Sequence, residues 1–239
     1  MADSSPFLSV VIPVYNEASF VASASAELCQ ALEARGLDYE LIFAENGSTD
    51  STPQALQELS QANPRIRWFH SETPNYGAAL KRGILEARGR LVISDEIDLC
   101  DLDFYDAALP LLKADQVDMV IGSKAAPGAT DRRPLLRRLA TRVHNRLLRW
   151  TLSFRGTDTH GLKAFYREKL VPVVRACVVD RDVFASEFVI RAWRQGLRVL
   201  EIPVQLHEKR EPSVHLLKRV PNVLKSVAKL VYVIRIRGG

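Results

Sequence analysis

Short apolar runs alternate with longer amphipathic segments along the first half of the chain. The runs are rich in Val and Ile and are too short for buried helices, so they predict buried strands. We predict strands at residues 7–14, 39–44, 66–69, 91–94 and 119–122. Helices are predicted between them, at residues 18–35, from a cap at Thr49 or Asp50 to about 62, at 78–87 and at 102–113. This order predicts an α/β fold with a mainly parallel, Rossmann-like sheet and helices on both faces.

The second half has a different pattern, dominated by amphipathic helices. We predict helices at residues 134–154, 186–195 and 222–236, a short strand at 163–166 and an edge strand at 198–204. Leu135, Leu139, Val143, Leu147 and Trp150 follow helical spacing in the first of these helices. Without a linker, repeat or low-complexity tract, the chain is interpreted as one domain, residues 1–239, with a front half at 7–123 and a back half at 124–239.

The charges divide between the two halves. Residues 1–119 hold 8 Lys/Arg against 19 Asp/Glu, a net −11, and residues 120–239 hold 25 against 9, a net +16, which together give the overall +5. An acidic front half suits carboxylates that hold a metal, and a basic back half suits anionic ligands or an anionic surface. Charged side chains that only face solvent would explain the negative charge of the first half and the positive charge of the second half equally well.

Composition excludes several classes of protein. The 239 residues are 47% hydrophobic and 26% charged, which is typical of a globular chain. Three widely spaced cysteines exclude a disulfide framework and a CxxC zinc site. No apolar run is long enough to span a bilayer, and the first six residues are too polar for a signal peptide, so we expect a cytoplasmic protein.

Polar clusters follow three of the predicted strands. They are Tyr15-Asn16-Glu17, Glu45-Asn46-Gly47 and the stretch Asp95-Glu96-Ile97-Asp98. Ligands in parallel α/β sheets bind beyond the carboxyl ends of the strands, where these clusters lie. Glu96 and Asp98, two residues apart, predict a site for Mg²⁺ or Mn²⁺, since such ions take one or two carboxylates together with substrate phosphates. The alternative is a solvated acidic loop that caps the helix beginning at Leu102.

Several motifs, in order along residues 7–213, resemble those of family 2 glycosyltransferases. The front half carries Ser9-Val-Val-Ile-Pro-Val-Tyr-Asn-Glu17, Ala44-Glu-Asn-Gly-Ser-Thr-Asp-Ser-Thr52, Tyr76-Gly-Ala-Ala-Leu-Lys-Arg-Gly83 and Glu96-Ile-Asp-Leu-Cys-Asp101. The back half carries Ile121-Gly-Ser-Lys124, Arg137-Arg138 with Asn145, Gly161-Leu-Lys-Ala-Phe-Tyr-Arg167, Glu187-x-x-x-Arg-Ala192 and Glu201-Ile-Pro-Val204. This set is most similar to the dolichol-phosphate mannose synthase and polyprenyl-phosphate branch.

The resemblance implies a GT-A fold and a role for each matched residue. Substrate contacts would come from Pro13, Tyr15, Glu17, Glu45, Asn46, Tyr76, Lys81, Asp95, Lys124 and Ser213. Glu96 and Asp98 would hold the metal, and the catalytic group would comprise Asp98, Glu187, Arg138 and Arg210. Lys124, Arg138 and Arg210 would contact phosphate groups of the donor or acceptor. Tyr15 as a core aromatic, and Glu187 as an ordinary acid at a helix start, are the alternatives.

The chain departs from the family pattern at defined positions. Glu45 and Asn46 replace a pair of aspartates, and Glu96 replaces the first aspartate of the metal motif. Cys100 stands where glutamine is usual, and His160 where serine or cysteine is usual. Pro212 stands where glycine usually precedes Ser213.

The resemblance implies an inverting transfer of one sugar from a nucleotide diphosphosugar to a polyprenyl phosphate. The alternatives are a hydroxyl acceptor, with Glu187 or Asp158 as base, and a catalytically weak homologue that binds nucleotide sugars. The expected partners are the donor, the lipid acceptor, an anionic membrane surface, and a second copy or membrane partner. We expect no nucleic acid, because the arginine-rich helix lacks interleaved aromatic residues. The protein is therefore expected at the cytoplasmic face of a membrane, bound peripherally through its two basic amphipathic helices.

Overall fold

A seven-stranded sheet lies at the centre of the molecule. The computed structural model describes residues 5–98, 100–131, 135–181, 183–206 and 216–236. Its strands are Leu8–Val14 (β1), Tyr39–Glu45 (β2), Ile66–Phe69 (β3), Leu91–Ser94 (β4), Met119–Ser123 (β5), Thr130–Asp131 (β6), Lys163–Tyr166 (β7), Val199–Pro203 (β8) and Gln205–Leu206 (β9). Its helices are Val21–Ala34 (α1), Thr52–Ala62 (α2), Tyr76–Glu86 (α3), Leu102–Lys113 (α4), Leu135–Leu152 (α5), Arg167–Ala176 (α6), Phe184–Arg194 (α7) and Leu216–Val231 (α8), which continues into a π-helical turn, Tyr232–Ile236.

The strand order of the large sheet is β3-β2-β1-β4-β7-β5-β8. Every neighbouring pair is parallel except the two pairs made by β7, which runs antiparallel between β4 and β5. β6 and β9 form a separate parallel pair. The predicted mainly parallel sheet is confirmed, and β8 is an edge strand as its Pro203 indicates.

Two apolar layers cover the sheet, one on each face. Successive residues of β1 point to opposite faces, so Val10 and Ile12 pack towards α1 and α4 while Val11 packs towards α3 and α7. Every residue of β1 and β2 is buried, as expected for strands with helices on both sides. Phe165, on β7, is fully buried and belongs to the core.

The structure differs from the predicted elements in a few places. The ten-residue helix α6, which tolerates Pro172 in its interior, was not predicted. α3 begins two residues early, at Tyr76, because the Asn75 side chain caps it by accepting from the Ala78 N–H at 3.3 Å. α8 begins at Leu216 rather than at residue 222. Among the described residues, no helix is both long and apolar enough to cross a membrane.

Candidate active site

The polar clusters predicted at the strand ends meet at the carboxyl edge of the sheet. Val14 pairs with Glu45, and Val11 pairs with Ser94, so the ends of β1, β2 and β4 lie side by side. Because β7 runs antiparallel, its first residue, Lys163, pairs with Ser94 at the same edge. Residues from both halves of the chain therefore share this edge.

The first wall of the site is formed by the loop after β1 and the turn after β2. Asn16 has a left-handed backbone, with φ of 55°; its N–H donates to Ser48 Oγ at 2.9 Å, and its Oδ1 accepts from the Thr49 N–H at 2.8 Å. The N–H of Glu17 donates to Thr52 Oγ1 at 2.8 Å. These bonds leave the Tyr15 ring 44% exposed at the edge, so Tyr15 is not a core aromatic, whereas Pro13 is buried within β1.

Glu45 and Asn46, at the end of β2, are buried and bonded to the protein itself. Glu45 Oε1 accepts from the Ser48 N–H at 2.5 Å, and Glu45 Oε2 contacts His70 Nδ1. Burial raises the pKa of Glu45, but the hydrogen bonds from Ser48 and His70 outweigh it, so the pKa lies below its ordinary value. Asn46 Oδ1 accepts from the Asn75 N–H at 2.6 Å.

Glu96 and Asp98, after β4, lie half-buried beside the cleft. The Tyr76 hydroxyl donates to Glu96 Oε1 at 3.4 Å. Burial and the neighbouring charge of Asp98 raise the pKa of Glu96, while the charges of Lys124 and Lys163 oppose that rise.

The opposite wall is a buried charge cluster of Lys124, Asp158 and Lys163. Lys124 Nζ lies 3.7 Å from Asp158 Oδ2, and Asp158 Oδ1 accepts from the His160 N–H at 2.9 Å. Lys163 is 2% exposed and donates to the Gly161 carbonyl oxygen at 2.6 Å. Burial lowers the pKa of Lys163 to about 8, because the interior disfavours its charge.

The segment 156–161, which carries this wall, is fixed by the helix and strand around it. Glu201, on β8, accepts from the Thr157 N–H at 2.8 Å, and Asn145, on α5, donates to the Thr157 carbonyl oxygen at 2.5 Å. A side chain at Gly161 would overlap the carbonyl oxygen of Gly122. The segment therefore has a close fit against β5, β8 and α5.

The donor set at Glu96 and Asp98 fits a divalent cation shared with a substrate. Among the described residues, no group of three or more His, Cys, Asp and Glu side chains could hold a metal ion alone. Mg²⁺ and Mn²⁺ bind through one or two carboxylates when phosphate oxygens and water complete the coordination shell. Glu96 and Asp98 would hold such an ion together with the diphosphate of a bound nucleotide.

Comparison with known proteins identifies the family. Residues 9–174 match the family model described as "Glycosyl transferase family 2". The chain belongs to glycosyl transferase family 2. Its curated relatives include glycosyltransferase AglD of Haloferax volcanii, 32% identical over 219 residues, which are 89% of this chain and 35% of AglD.

Two further relatives of this glycosyltransferase have names that contain a polyprenyl phosphate. Dolichyl-phosphate beta-glucosyltransferase ALG5A of Trichomonas vaginalis is 27% identical, over 86% of this chain and 67% of the relative. Undecaprenyl-phosphate 4-deoxy-4-formamido-L-arabinose transferase of Edwardsiella ictaluri is 30% identical, over 86% of this chain and 61% of the relative. The chain thus spans about a third to two thirds of the length of these relatives.

Solved structures of glycosyltransferases share the fold, and the expected GT-A architecture is confirmed. Glucosyl-3-phosphoglycerate synthase from Mycobacterium tuberculosis, solved with Mn²⁺, UDP and glucosyl-3-phosphoglycerate, matches with a TM-score of 0.66 and 19% identity, over 97% of this chain and 80% of that one. Mannosyl-3-phosphoglycerate synthase from Rubrobacter xylanophilus matches with a TM-score of 0.62 and 19% identity, over 98% of this chain and 74% of that one.

In this family 2 glycosyltransferase five of the expected site residues have partners within the protein: Glu45 and Asn46, described above, and Asp95, Lys81 and Glu187. Asp95 is 1% exposed and turns away from the cleft, where its Oδ2 accepts from the Tyr105 hydroxyl at 2.6 Å. Burial raises its pKa to about 7. Lys81 donates to the Cys177 carbonyl oxygen at 2.6 Å, which ties α3 to the segment before α7 rather than offering a free cation.

Glu187 likewise bonds within the protein. It is fully buried, and its Oε2 accepts from the N–H groups of Val178 and Val179 at 3.0 and 2.7 Å. Its Oε1 accepts from Arg191 Nε at 2.7 Å. These bonds assign Glu187 to holding the segment 177–179 in place, so it is not placed to act as a base.

The remaining predicted residues divide into two groups. Arg138 lies half-buried on α5, beside a groove of about 360 Å³ lined by Leu135, Arg138, Leu139 and Arg142. Arg210 and Ser213 lie outside the described residues.

Sequence reasoning missed Lys163 and His70 as members of the site. Lys163 was part of a matched motif, but its place at the edge depends on the antiparallel direction of β7. His70 directly follows β3, so its position after a predicted strand is the sequence signal that indicates it.

Proposed function

We propose that this protein transfers a sugar, with inversion at the anomeric carbon, from a nucleotide diphosphosugar of GDP-mannose or UDP-glucose type to a polyprenyl phosphate. The names of the relatives support this proposal, since they describe transfer to dolichyl phosphate and involve undecaprenyl phosphate. The observation that carries it is the position of Lys124, with the buried Lys163 behind it, beside Glu96 and Asp98: their positive charges would stabilise two phosphate groups that meet at one edge.

The donor would lie over the ends of β1 and β2. The exposed Tyr15 ring offers a stacking surface, and the backbone around Asn16 and Glu17 is fixed by hydrogen bonds before any ligand binds. Glu96 and Asp98 would hold Mg²⁺ or Mn²⁺ against the diphosphate. When bound, the ion neutralises negative charge that develops on the leaving diphosphate.

The acceptor phosphate would lie near Lys124. A phosphate monoester is largely dianionic at neutral pH, so it attacks without a strong base and needs orientation by cations. A hydroxyl acceptor would need a carboxylate base. Of the two carboxylates considered for that role, Glu187 is bonded within the core, and Asp158 is 0% exposed and paired with Lys124. This arrangement favours the phosphate acceptor over the hydroxyl.

A lipid-linked acceptor requires contact with a membrane, and α5 presents a suitable face. Leu135, Leu139, Val143 and Trp150 are 77%, 56%, 60% and 83% exposed, and they recur at helical spacing. α8, which contacts α5, adds exposed Leu224 and, after it in the π-helical turn, Ile236.

Exposed cations accompany both apolar stripes. They are Arg142 and Arg146 on α5, Lys225 and Lys229 on α8, and Arg235 after it. Apolar stripes beside cations are typical of helices that lie in the interface of an anionic bilayer. We propose that these faces hold the protein on the cytoplasmic leaflet.

The test is a turnover assay with purified protein and a panel of nucleotide sugars. Each donor is offered with and without a polyprenyl phosphate, with Mg²⁺, Mn²⁺ or a chelator. We expect a sugar-phosphate-linked lipid as product, formed only with a divalent cation. Transfer to a soluble hydroxyl acceptor, or nucleotide-sugar binding without turnover, would overturn the proposal in favour of one of the two alternative functions.

A further inference from the structure

The side-chain oxygens at the end of β2 already have partners within the protein. Glu45 is 0% exposed, with its two oxygens directed to Ser48 and His70. Asn46 is 7% exposed, and its oxygen accepts from the Asn75 N–H. A base lying over β1 and β2 would therefore meet a surface whose acceptors already serve the protein.

His70 lies beside these residues with its ring half exposed. It directly follows the end of β3. The adjacent strands β3, β2 and β1 end at the same edge, where His70 follows β3, Glu45 is the last residue of β2 and Tyr15 follows β1. The His70 side chain is 49% exposed, in contrast to the buried Glu45 carboxylate that contacts its Nδ1. The Arg82 guanidinium donates to the His70 carbonyl oxygen at 3.1 Å and so fixes the backbone at this position.

The contact with Glu45 determines what the ring can offer to a ligand. The hydrogen bonds from Ser48 and His70 keep the Glu45 carboxylate ionised, and an ionised carboxylate only accepts. Nδ1 therefore carries a proton and donates. In the neutral imidazole the other nitrogen, Nε2, is then an acceptor.

We propose that His70 reads the nucleobase through Nε2, and that Glu45 positions its ring and fixes its tautomer. An acceptor at this place selects bases that present a ring N–H, namely uracil and guanine. Cytosine and adenine present a ring nitrogen lone pair there, which Nε2 would repel. This inference rests on the proposed use of a nucleotide donor and specifies the base class that the site takes.

The experiment measures binding of UDP, GDP, CDP and ADP by calorimetry, in mildly alkaline buffer with Mg²⁺. The wild type should bind UDP or GDP at least roughly tenfold more tightly than CDP and ADP. This factor corresponds to the free energy of one hydrogen bond, which Nε2 makes with uracil or guanine and cannot make with the ring nitrogen of cytosine or adenine. His70→Ala should lose this preference, because it should bind the favoured nucleotide more weakly while its binding of CDP and ADP changes little.

Two variants at His70 separate base contact from a structural role. His70→Asn keeps a polar group near Nδ1 for Glu45 but has none at Nε2, so it should lose the preference while it keeps its thermal stability. His70→Gln places its amide oxygen near the Nε2 position, so it should retain part of the preference. Glu72→Gln, an exposed neighbour in the same loop, is the matched control and should bind like the wild type.

Glu45→Gln tests the tautomer directly. An amide N–H₂ group donating to Nδ1 would move the ring proton to Nε2, so the preference should shift towards CDP or ADP. Retention of the wild-type preference by His70→Ala, or equal binding of all four nucleotides by the wild type, would overturn the inference while leaving the proposed function intact. If none of the four nucleotides bound, the proposed function itself would fail.

Discussion

Membrane binding through α5 can be tested by removing two exposed charges. Arg142 and Arg146 lie on the exposed side of α5, next to its apolar stripe. Each basic residue near an anionic leaflet contributes about 1 kcal/mol. Replacing both with Gln should therefore weaken partitioning onto anionic vesicles by about 2 kcal/mol, which is roughly thirtyfold.

The apolar part of the interaction is tested separately with Trp150→Ala. A Trp side chain has an area of about 200 Å², and Trp150 is 83% exposed. If half of the exposed area enters the bilayer, its loss costs about 2 kcal/mol. This loss should persist at high salt, whereas the loss from the arginine variant should fall as screening shortens the field.

The assay is cosedimentation with liposomes of increasing anionic lipid content, at low and high salt. Arg88→Gln with Arg90→Gln is the matched control, because these two exposed arginines precede β4 at the amino edge of the sheet. The control should bind like the wild type. Wild-type binding by the Arg142/Arg146 variant, or no binding of the wild type at any lipid composition, would refute the assignment of α5 to the membrane.

Three further predictions concern the site and the stability of the fold. Asp98→Asn should lower turnover by orders of magnitude with little change in Tm. Full turnover by this variant, together with full turnover by the wild type in the presence of a chelator, would contradict the metal assignment. Gly161→Ala should cost more than about 2 kcal/mol in unfolding free energy, because its Cβ would overlap the Gly122 carbonyl; an unchanged denaturation midpoint would show that the segment can move. The hydrogen bond from Arg198 lowers the pKa of Asp118, so this pair should stabilise the protein above about pH 4 and lose its effect as the pH falls further. Asp118→Asn should remove that part of the pH dependence in urea unfolding measured at neutral and acidic pH, and an unaltered dependence would contradict it.

The strands of the front half could be predicted because burial on both faces leaves a direct mark in the sequence. β1 is apolar apart from Ser9 and β2 is apolar apart from Glu40 and Glu45, and the structure buries every residue of both. α6 lacked such a mark, since Pro172 in a ten-residue helix is a breaking signal that tertiary packing of Leu170, Val173 and Val174 overrides.

The site could be predicted only as far as its residues follow strand ends. Glu96 and Asp98 do so, and both are half-buried after β4, where Glu96 lies near Lys124 and Lys163. Lys81 and Glu187 match family motifs. The Arg191 partner of Glu187 stands in the same motif, but both residues also bond backbone groups of residues 177–179, and for Lys81 that partner lies 96 residues away. A backbone carbonyl or N–H has no sequence signature, so these contacts become visible only in the folded chain.

The antiparallel strand β7 has a consequence for how the chain can be divided. β5 ends the front half of the sequence, yet in the sheet it pairs with β7 and β8, both from the back half, and not with β4. A fragment ending at residue 123 would leave β5 without a neighbour and expose the apolar faces of Val120 and Ile121. The front and back halves of the chain are therefore interwoven in one sheet rather than modular. Neither can be exchanged whole between relatives by recombination, and new specificity has to arise by substitution in the loops at the carboxyl edge.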